Sequence, residues 1–418
     1  MKPGVVGLWR RFIVARAGPR SARIQMMHSR RRLDRVHWPV SFWCGVVVVL
    51  ALVACDGGMV DQGTAQEVVH SSNVFRDPLD SPAERVAGAL ELDRQPIIAL
   101  DRAGKRLIGV GLRGVIVLSE DDGNTWRQAK VPVRSDLVAL SFPTTHKGWA
   151  VGHDGVILHT VDGGETWAKQ LDGATSAASL TGYYQTRIEA GETELQPFLD
   201  EVILNTRDGP VLPFLSVYFE NEKVGYAVGS FGMLLTTTDG GKNWQPALER
   251  IDNPGYLNLN GIRRSGDGLY IAGERGTVWR LDRSTSRFVA ESTEYAGSFF
   301  GVVGTDDFLV AYGLSGTAFR SADQGRTWEE LDSKLHNSVT AATLIPGSGR
   351  VVLVAEDGKI AVSQDSARNF ELLKPPRPML FAAVVPTADH QVVLAGLQGL
   401  SRFDVRAHNG PTPTVDSH

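Results

Sequence analysis

One pattern recurs seven times in this chain: an apolar run, a glycine (once an alanine), two residues, a second glycine and another apolar run. The copies are Gly111-Leu-Arg-Gly114, Gly152-His-Asp-Gly155, Gly229-Ser-Phe-Gly232, Gly273-Glu-Arg-Gly276, Gly313-Leu-Ser-Gly316, Ala355-Glu-Asp-Gly358 and Gly396-Leu-Gln-Gly399. Their last glycines step by 41, 77, 44, 40, 42 and 41 residues. A period near forty marks units that cannot bury an apolar face alone and must stack. Each unit reads as four short strands, as in 137–142, 148–152, 156–160 and 166–170, and none of the units has helical periodicity. Even strand spacing at this period predicts an all-β fold, a seven-bladed β-propeller with four-stranded blades around a channel.

The step of 77 places an insert at about residues 172–212, between blades 2 and 3. Within it Tyr183, Tyr184, Ile188, Leu195, Phe198, Leu199, Val202 and Ile203 fall largely at i, i+3, i+4 spacing, which predicts a partly helical segment. Two readings stay open: a helix lying back on blades 2 and 3, or a protruding element that binds a partner.

A second motif runs in phase with the first: Ser/Thr-x-Asp-x-Gly-x-Thr-Trp, the Asp box. It pairs Asp121 with Trp126, Asp162 with Trp167, Asp239 with Trp244 and Asp323 with Trp328; Asn243 replaces the Thr once. Residues 280–288 and 363–370 read as worn copies with Phe in the Trp place. An Asp can accept hydrogen bonds from the N–H groups of its own turn, and the Trp can wedge between units. These eight residues are therefore expected to stabilise the fold and not to bind a ligand. The last unit has strands at 380–386, 391–395 and 400–405 and lacks an outer one before a polar tail at 407–418. Residues 72–78 are expected to supply it, because an open ring would expose pairing edges. The propeller is then 72–406.

Charge is unevenly spread. Residues 1–55 hold ten Lys/Arg and one acid, which leaves 33 basic and 46 acidic residues, about −13, in the rest. So acidic a body argues against nucleic-acid binding, which needs phosphates neutralised. Arg30, Arg31, Arg32 and Arg35 precede an apolar stretch over 38–54 that ends Leu52-Val53-Ala54-Cys55. This is the pattern of a secretory signal, residues 1–54, with translation starting at Met26 or Met27. The stretch is short for a membrane-spanning helix, the competing reading, and both readings put the body outside the cytoplasm. The ending resembles the bacterial lipobox, which implies lipidation of Cys55 and a linker over 55–71. Asp56 favours retention on the periplasmic side of the inner membrane. With Cys44 in the signal, the body has no cysteine, which excludes disulfides, Cys-ligated zinc and thiol catalysis.

With its Gly-x-x-Gly turns, four Asp boxes and Phe75-Arg-Asp-Pro-Leu ahead of blade 1, the region 75–406 resembles the Asp-box (BNR) propellers of the photosystem II stability/assembly factor type. The resemblance implies a non-enzymatic, monomeric assembly or accessory factor whose partner is an integral membrane protein or complex. In a non-photosynthetic bacterium it implies an accessory to a membrane transport system.

Other chemistry finds little footing. Gly109-Val-Gly111-Leu-Arg-Gly114 matches the dinucleotide fingerprint, but a strand follows it where a helix is needed. No cofactor is expected. The histidines show no metal-ligand spacing, and His153 and His159 read as solvated groups flanking one hairpin. The alternative function is glycan binding or a sialidase-like glycoside hydrolase, which needs three arginines, a Tyr nucleophile and acidic partners. Glu91-Leu-Asp-Arg94 and Gln95-Pro96 stand where that family carries Arg-Ile-Pro, and Asp boxes lie on the face away from a sialidase site. No catalytic residue is assigned.

The expected partner-binding face gathers the turns between second and third strands: Arg113, His153, Asp154, Phe231, Glu274, Arg275, Ser315, Asp357 and Gln398. The starts of the first strands add Leu257, Asn258, Asn260, Phe299, Phe300, Asn337, Met379 and Phe381. Exposed aromatics with scattered Arg are the anchors protein interfaces use.

Overall fold

The computed structural model describes residues 77–207, 209, 212–387 and 391–406. The expected signal, Cys55, the linker and the polar tail lie outside them. A short helix α1 (Ala89–Leu92) leads into blade 1: β1 (Ile97–Ala103), β2 (Arg106–Gly111), β3 (Ile116–Ser119) and β4 (Arg127–Gln128). Blade 2 is β5 (Leu137–Ser141), β6 (Gly148–Gly152), β7 (Ile157–Thr160) and β8 (Ala168–Leu171), followed by helices α2 (Gly173–Glu189) and α3 (Gln196–Thr206). Blade 3 is β9 (Phe214–Phe219), β10 (Gly225–Gly229), β11 (Leu234–Thr237) and β12 (Gln245–Pro246); blade 4 is β13 (Leu259–Ser265), β14 (Gly268–Gly273), β15 (Thr277–Asp282) and β16 (Arg287–Ser292). Blade 5 is β17 (Phe299–Gly304), β18 (Leu309–Gly313), β19 (Ala318–Ser321) and β20 (Glu329–Leu331); blade 6 is β21 (Val339–Ile345), β22 (Arg350–Ala355), β23 (Ile360–Ser363) and β24 (Glu371–Leu373). Blade 7 has three strands among the described residues: β25 (Phe381–Pro386), β26 (Gln391–Gly396) and β27 (Gly399–Asp404). Every blade is an antiparallel meander in chain order.

The innermost strands β1, β5, β9, β13, β17, β21 and β25 each pack on the next, and β25 packs back on β1, so the ring is closed. The core is divided accordingly. Seven buried apolar clusters occupy the seven blade-to-blade interfaces. Burial lies between the units, as a stacked repeat demands.

The Gly-x-x-Gly turns have a steric cause. A Cβ on Gly111 would sit 2.0 Å from the Pro96 carbonyl oxygen at the start of its own blade. One on Gly114 would sit 2.1 Å from the Val133 carbonyl oxygen on the way to the next blade, at a φ of 72°. The first glycine lets a blade fold tightly and the second lets its neighbour approach.

The Asp box is a closed hydrogen-bond unit. In blade 1 the Asp121 carboxylate accepts from Ser119 Oγ (2.8 Å), Thr125 N (2.9 Å) and Thr125 Oγ1 (2.7 Å), while Ser119 Oγ accepts from Gly123 N (2.8 Å). In blade 3 the Asn243 amide donates to Asp239 Oδ2 at 2.7 Å, doing the work of the Thr hydroxyl. The worn copy at Ser363 is a complete box: Asp365 accepts from Ser363 Oγ, Asn369 N and Asn369 Nδ2 within 2.9 Å. Each following aromatic wedges into the interface with the preceding blade: Trp126, Trp167, Trp244 and Trp328, and likewise Phe288 and Phe370.

The insert lies back on blades 2 and 3. Asp172 caps α2 by accepting from Thr175 N at 2.8 Å. Leu180 and Tyr184 of α2, Leu199 and Val202 of α3, and Leu195 between them join the core of that interface. The Tyr184 hydroxyl donates to Glu249 Oε2 (2.6 Å) and accepts from Leu248 N (2.9 Å), and Arg187 pairs with Glu249 and Glu192.

The expected outer strand of blade 7, residues 72–78, lies almost wholly outside the described residues; of the two that are described, Pro78 O accepts from Arg134 N (2.7 Å) between blades 1 and 2. Among the described residues the ring ends are joined by Leu400 N donating to Asp93 O (2.9 Å), Arg102 Nε donating to Pro386 O (3.0 Å) and Arg402 donating to Asn124. One expectation changes. His159 is not a solvated surface group. Its ring stacks on Trp149 at 4.6 Å, its Nε2 is buried without a hydrogen-bond partner, and burial pushes its pKa down. The physical reason is that Trp149, buried between His159 and Phe219, needs two flat partners.

Candidate partner-binding face

The turns between second and third strands share one end of the propeller, opposite the Asp boxes. Five use one conformation: Arg113, Asp154, Phe231, Arg275 and Ser315 hold φ between 54° and 57°. This left-handed region costs an L-residue roughly 1–2 kcal/mol. Hydrogen bonds hold it in place. Arg113 N donates to Asp136 Oδ1 (2.7 Å) and Phe231 N to Asn258 Oδ1 (2.7 Å), each from one blade to the lead-in of the next. Asp154 Oδ2 accepts from Ser135 Oγ (2.7 Å), and Glu274 accepts from Asn258 N (3.0 Å) and Nδ2 (3.1 Å). Asp357 pairs with Lys359 and accepts from Asn337 Nδ2 (2.8 Å); burial works against its ionisation, but these partners hold its carboxyl below the usual range.

This consumption of backbone groups leaves side chains outward. Arg113, Phe231, Arg275, Ser315 and Gln398 are exposed, and His153, Asp154, Glu274 and the Asp357 side chain are half-buried. Phe231 is 47% exposed. A large apolar side chain gains little from folding at that exposure, in a conformation that strains it. The insert borders the same end: α2 follows directly on the blade 2 turn side, where Gly155 faces Gly173, and Tyr256 Oη donates to Pro197 O (3.4 Å).

Phe299 does not belong to this face. It is 0% exposed, packed with Tyr295 and Phe319 in the blade 4–5 interface. Phe381 and Met379 are buried as well, between blades 6 and 7. The cause is a β-bulge at the second residue of each first strand, with the register jumping between Phe299 and Gly301 in blade 5 and at the matching place in every other blade. A bulge sends two consecutive residues to unlike surroundings. Here the first goes to the core and the second, Phe300, stays half-buried.

Three arginines do meet, but at the Asp-box end of the channel: Arg102, Arg263 and Arg264 line one recess. Its lining contains neither Tyr nor Glu, and the pair formed by Tyr226 and Glu220 lies outside it.

Comparison with known proteins agrees with the repeat. The profile of a family described as photosynthesis system II assembly factor YCF48 matches residues 109–189. The photosystem II assembly protein Ycf48 of Thermosynechococcus vestitus is 26% identical over 269 residues, 60% of this chain and 75% of that protein. The photosystem II assembly lipoprotein Ycf48 of a Picosynechococcus species is 27% identical over 313 residues, 67% of this chain and 88% of that one. Among solved structures, YCF48 bound to D1 peptide superposes with a TM-score of 0.54 at 16% identity, covering 74% of this chain and 92% of that one. By its repeat, its Asp boxes and its closed ring, the chain is a seven-bladed Asp-box propeller similar to the photosystem II assembly factors.

Proposed function

We propose that this chain is a non-enzymatic assembly or accessory factor that holds a segment of an integral membrane protein on the face just described. The observation that carries the reading is the extent of its similarity to two photosystem II assembly factors, which spans most of each. A similar propeller solved with a peptide of D1 supports peptide capture as the mode. Phe231, Arg113 and Arg275 are the anchors, with His153, Asp154, Glu274, Ser315, Asp357, Gln398 and half-buried Phe300 around them. In this reading a lipid on Cys55 tethers the propeller to the periplasmic side of a bacterial membrane, the inner one by Asp56, and the propeller acts as a monomer apart from its client. The client is a photosystem II subunit in a photosynthetic organism and a transport-system component in another bacterium.

Capture from solubilised membranes by the tagged full chain tests this. An integral membrane protein should be recovered, and Arg275→Glu with Phe231→Ala should cut the yield about tenfold, as loss of two anchors would. Equal recovery would reject the face. Cys55→Ser should move the chain from the membrane to the soluble fraction.

A further inference from the structure

The Asp-box end of the channel holds a recess of about 260 Å³, formed where five innermost strands run out. Asp101, Arg102, Arg263, Arg264, Thr343 and Pro386 are among its lining residues. Two of the three arginines are committed. Arg102 donates to Pro386 O (3.0 Å) and pairs with Asp122 (2.5 Å), and Arg264 donates to Gly266 O (2.8 Å) and Asp267 Oδ1 (3.0 Å). Arg263 is different: it is exposed and makes no direct hydrogen bond or close ion pair among the described residues, although its charge reaches the Asp101 carboxyl and the Tyr312 hydroxyl. The recess does contain an acid, but Asp101 is occupied elsewhere, accepting from Arg102 N (2.8 Å) and Phe142 N (2.9 Å).

A guanidinium offers five donors in a rigid fork and stays charged at every accessible pH. Walls of low dielectric around a cleft focus the field of the charges that line it. We propose that this recess binds a small solute through a carboxylate or phosphate group gripped by Arg263, with the Ser265 and Thr343 hydroxyls in the lining as further hydrogen-bonding groups. At about 260 Å³ it falls just below the roughly 300–1,000 Å³ of sites for drug-sized ligands, a size suited to a small solute. The site lies at the opposite end from the proposed client face, so each stands or fails without the other.

Titration calorimetry on the full chain in detergent, with succinate and inorganic phosphate as probes, tests it. One probe should bind saturably at one site per chain, and preference for succinate or for phosphate names the group. Arg263→Gln should weaken that binding at least tenfold, and Arg263→Lys should fall between, because a point charge lacks the fork. The unfolding midpoint of Arg263→Lys should match the parent, since it keeps the positive charge that faces Asp101. Binding of neither probe, or equal binding by Arg263→Gln and the parent, would overturn the proposal.

Discussion

The two ends of this propeller are built from the same number of turns and treat their side chains in opposite ways. At the Asp-box end the functional groups turn inward: each Asp carboxylate is saturated by its own turn, and each aromatic is wedged into the preceding blade. At the other end the backbone is what is satisfied, through Asp136 and Asn258, while Arg113, Phe231 and Arg275 are left outward. Both ends hold strained left-handed residues, among them Asp122 and Gln324 at one and Phe231 at the other. Strain alone therefore does not mark a binding surface. What separates the ends is where the polar and apolar side-chain atoms are spent.

The largest expected effect falls on the inward end. Trp167→Ala should cost about 3–5 kcal/mol in urea denaturation, by loss of buried area and the cavity left behind, since Trp167 is buried in the blade 1–2 interface. Arg275→Glu should stay within about 0.5 kcal/mol. Comparable losses would dissolve the contrast.

Next comes Tyr184→Phe, which leaves the Leu248 N–H without its acceptor and Glu249 Oε2 without its donor and should cost about 1–3 kcal/mol. Faster amide exchange confined to α2 and α3 would locate the loss in the insert. Uniform exchange would mean that the insert is part of the ring's cooperative unit.

Acid should act on the Asp-box end through its carboxylates. The Thr125 hydroxyl, then its N–H, hold the Asp121 carboxyl at about 2, against an ordinary 3.8. The folded value is the lower one, so this contribution is complete above about pH 4 and is lost as the pH falls through the folded value. Unfolding midpoints measured across that window should fall, and Asp121→Asn should flatten the fall. A midpoint independent of pH would show that the boxes add nothing through their charge.

The smallest effect tests the outward end. Phe231→Gly relieves the left-handed strain and should raise stability by up to about 1 kcal/mol while client capture drops. A loss of stability would make Phe231 a packing residue and weaken the face.

Much of this was legible in the residues themselves. The seven units, the turn glycines and four Asp boxes are local patterns with local causes. The fifth box was half hidden because Ala367 and Asn369 stand where Gly and Thr are usual, yet Asn supplies the same donor. The residues alone put both Phe299 and Phe300 on the face; a bulge buries the first of the two adjacent aromatics, and neither residue type announces it. His159 was misread because its partner, Trp149, is a cross-strand neighbour that only pairing brings beside it.

The sequence by itself determined the architecture: period, blade count, turn positions and the helical character of the insert, all properties of residues near one another in the chain. Tertiary structure decided three further things. It laid the insert on blades 2 and 3, joined the ring through Asp93 and Pro386, and brought Arg102 of β1 and Arg263 of β13 into one recess. The reason is geometric. A closed ring makes neighbours of strands from distant repeats, and the company those side chains keep is set by the closure and not by the repeat.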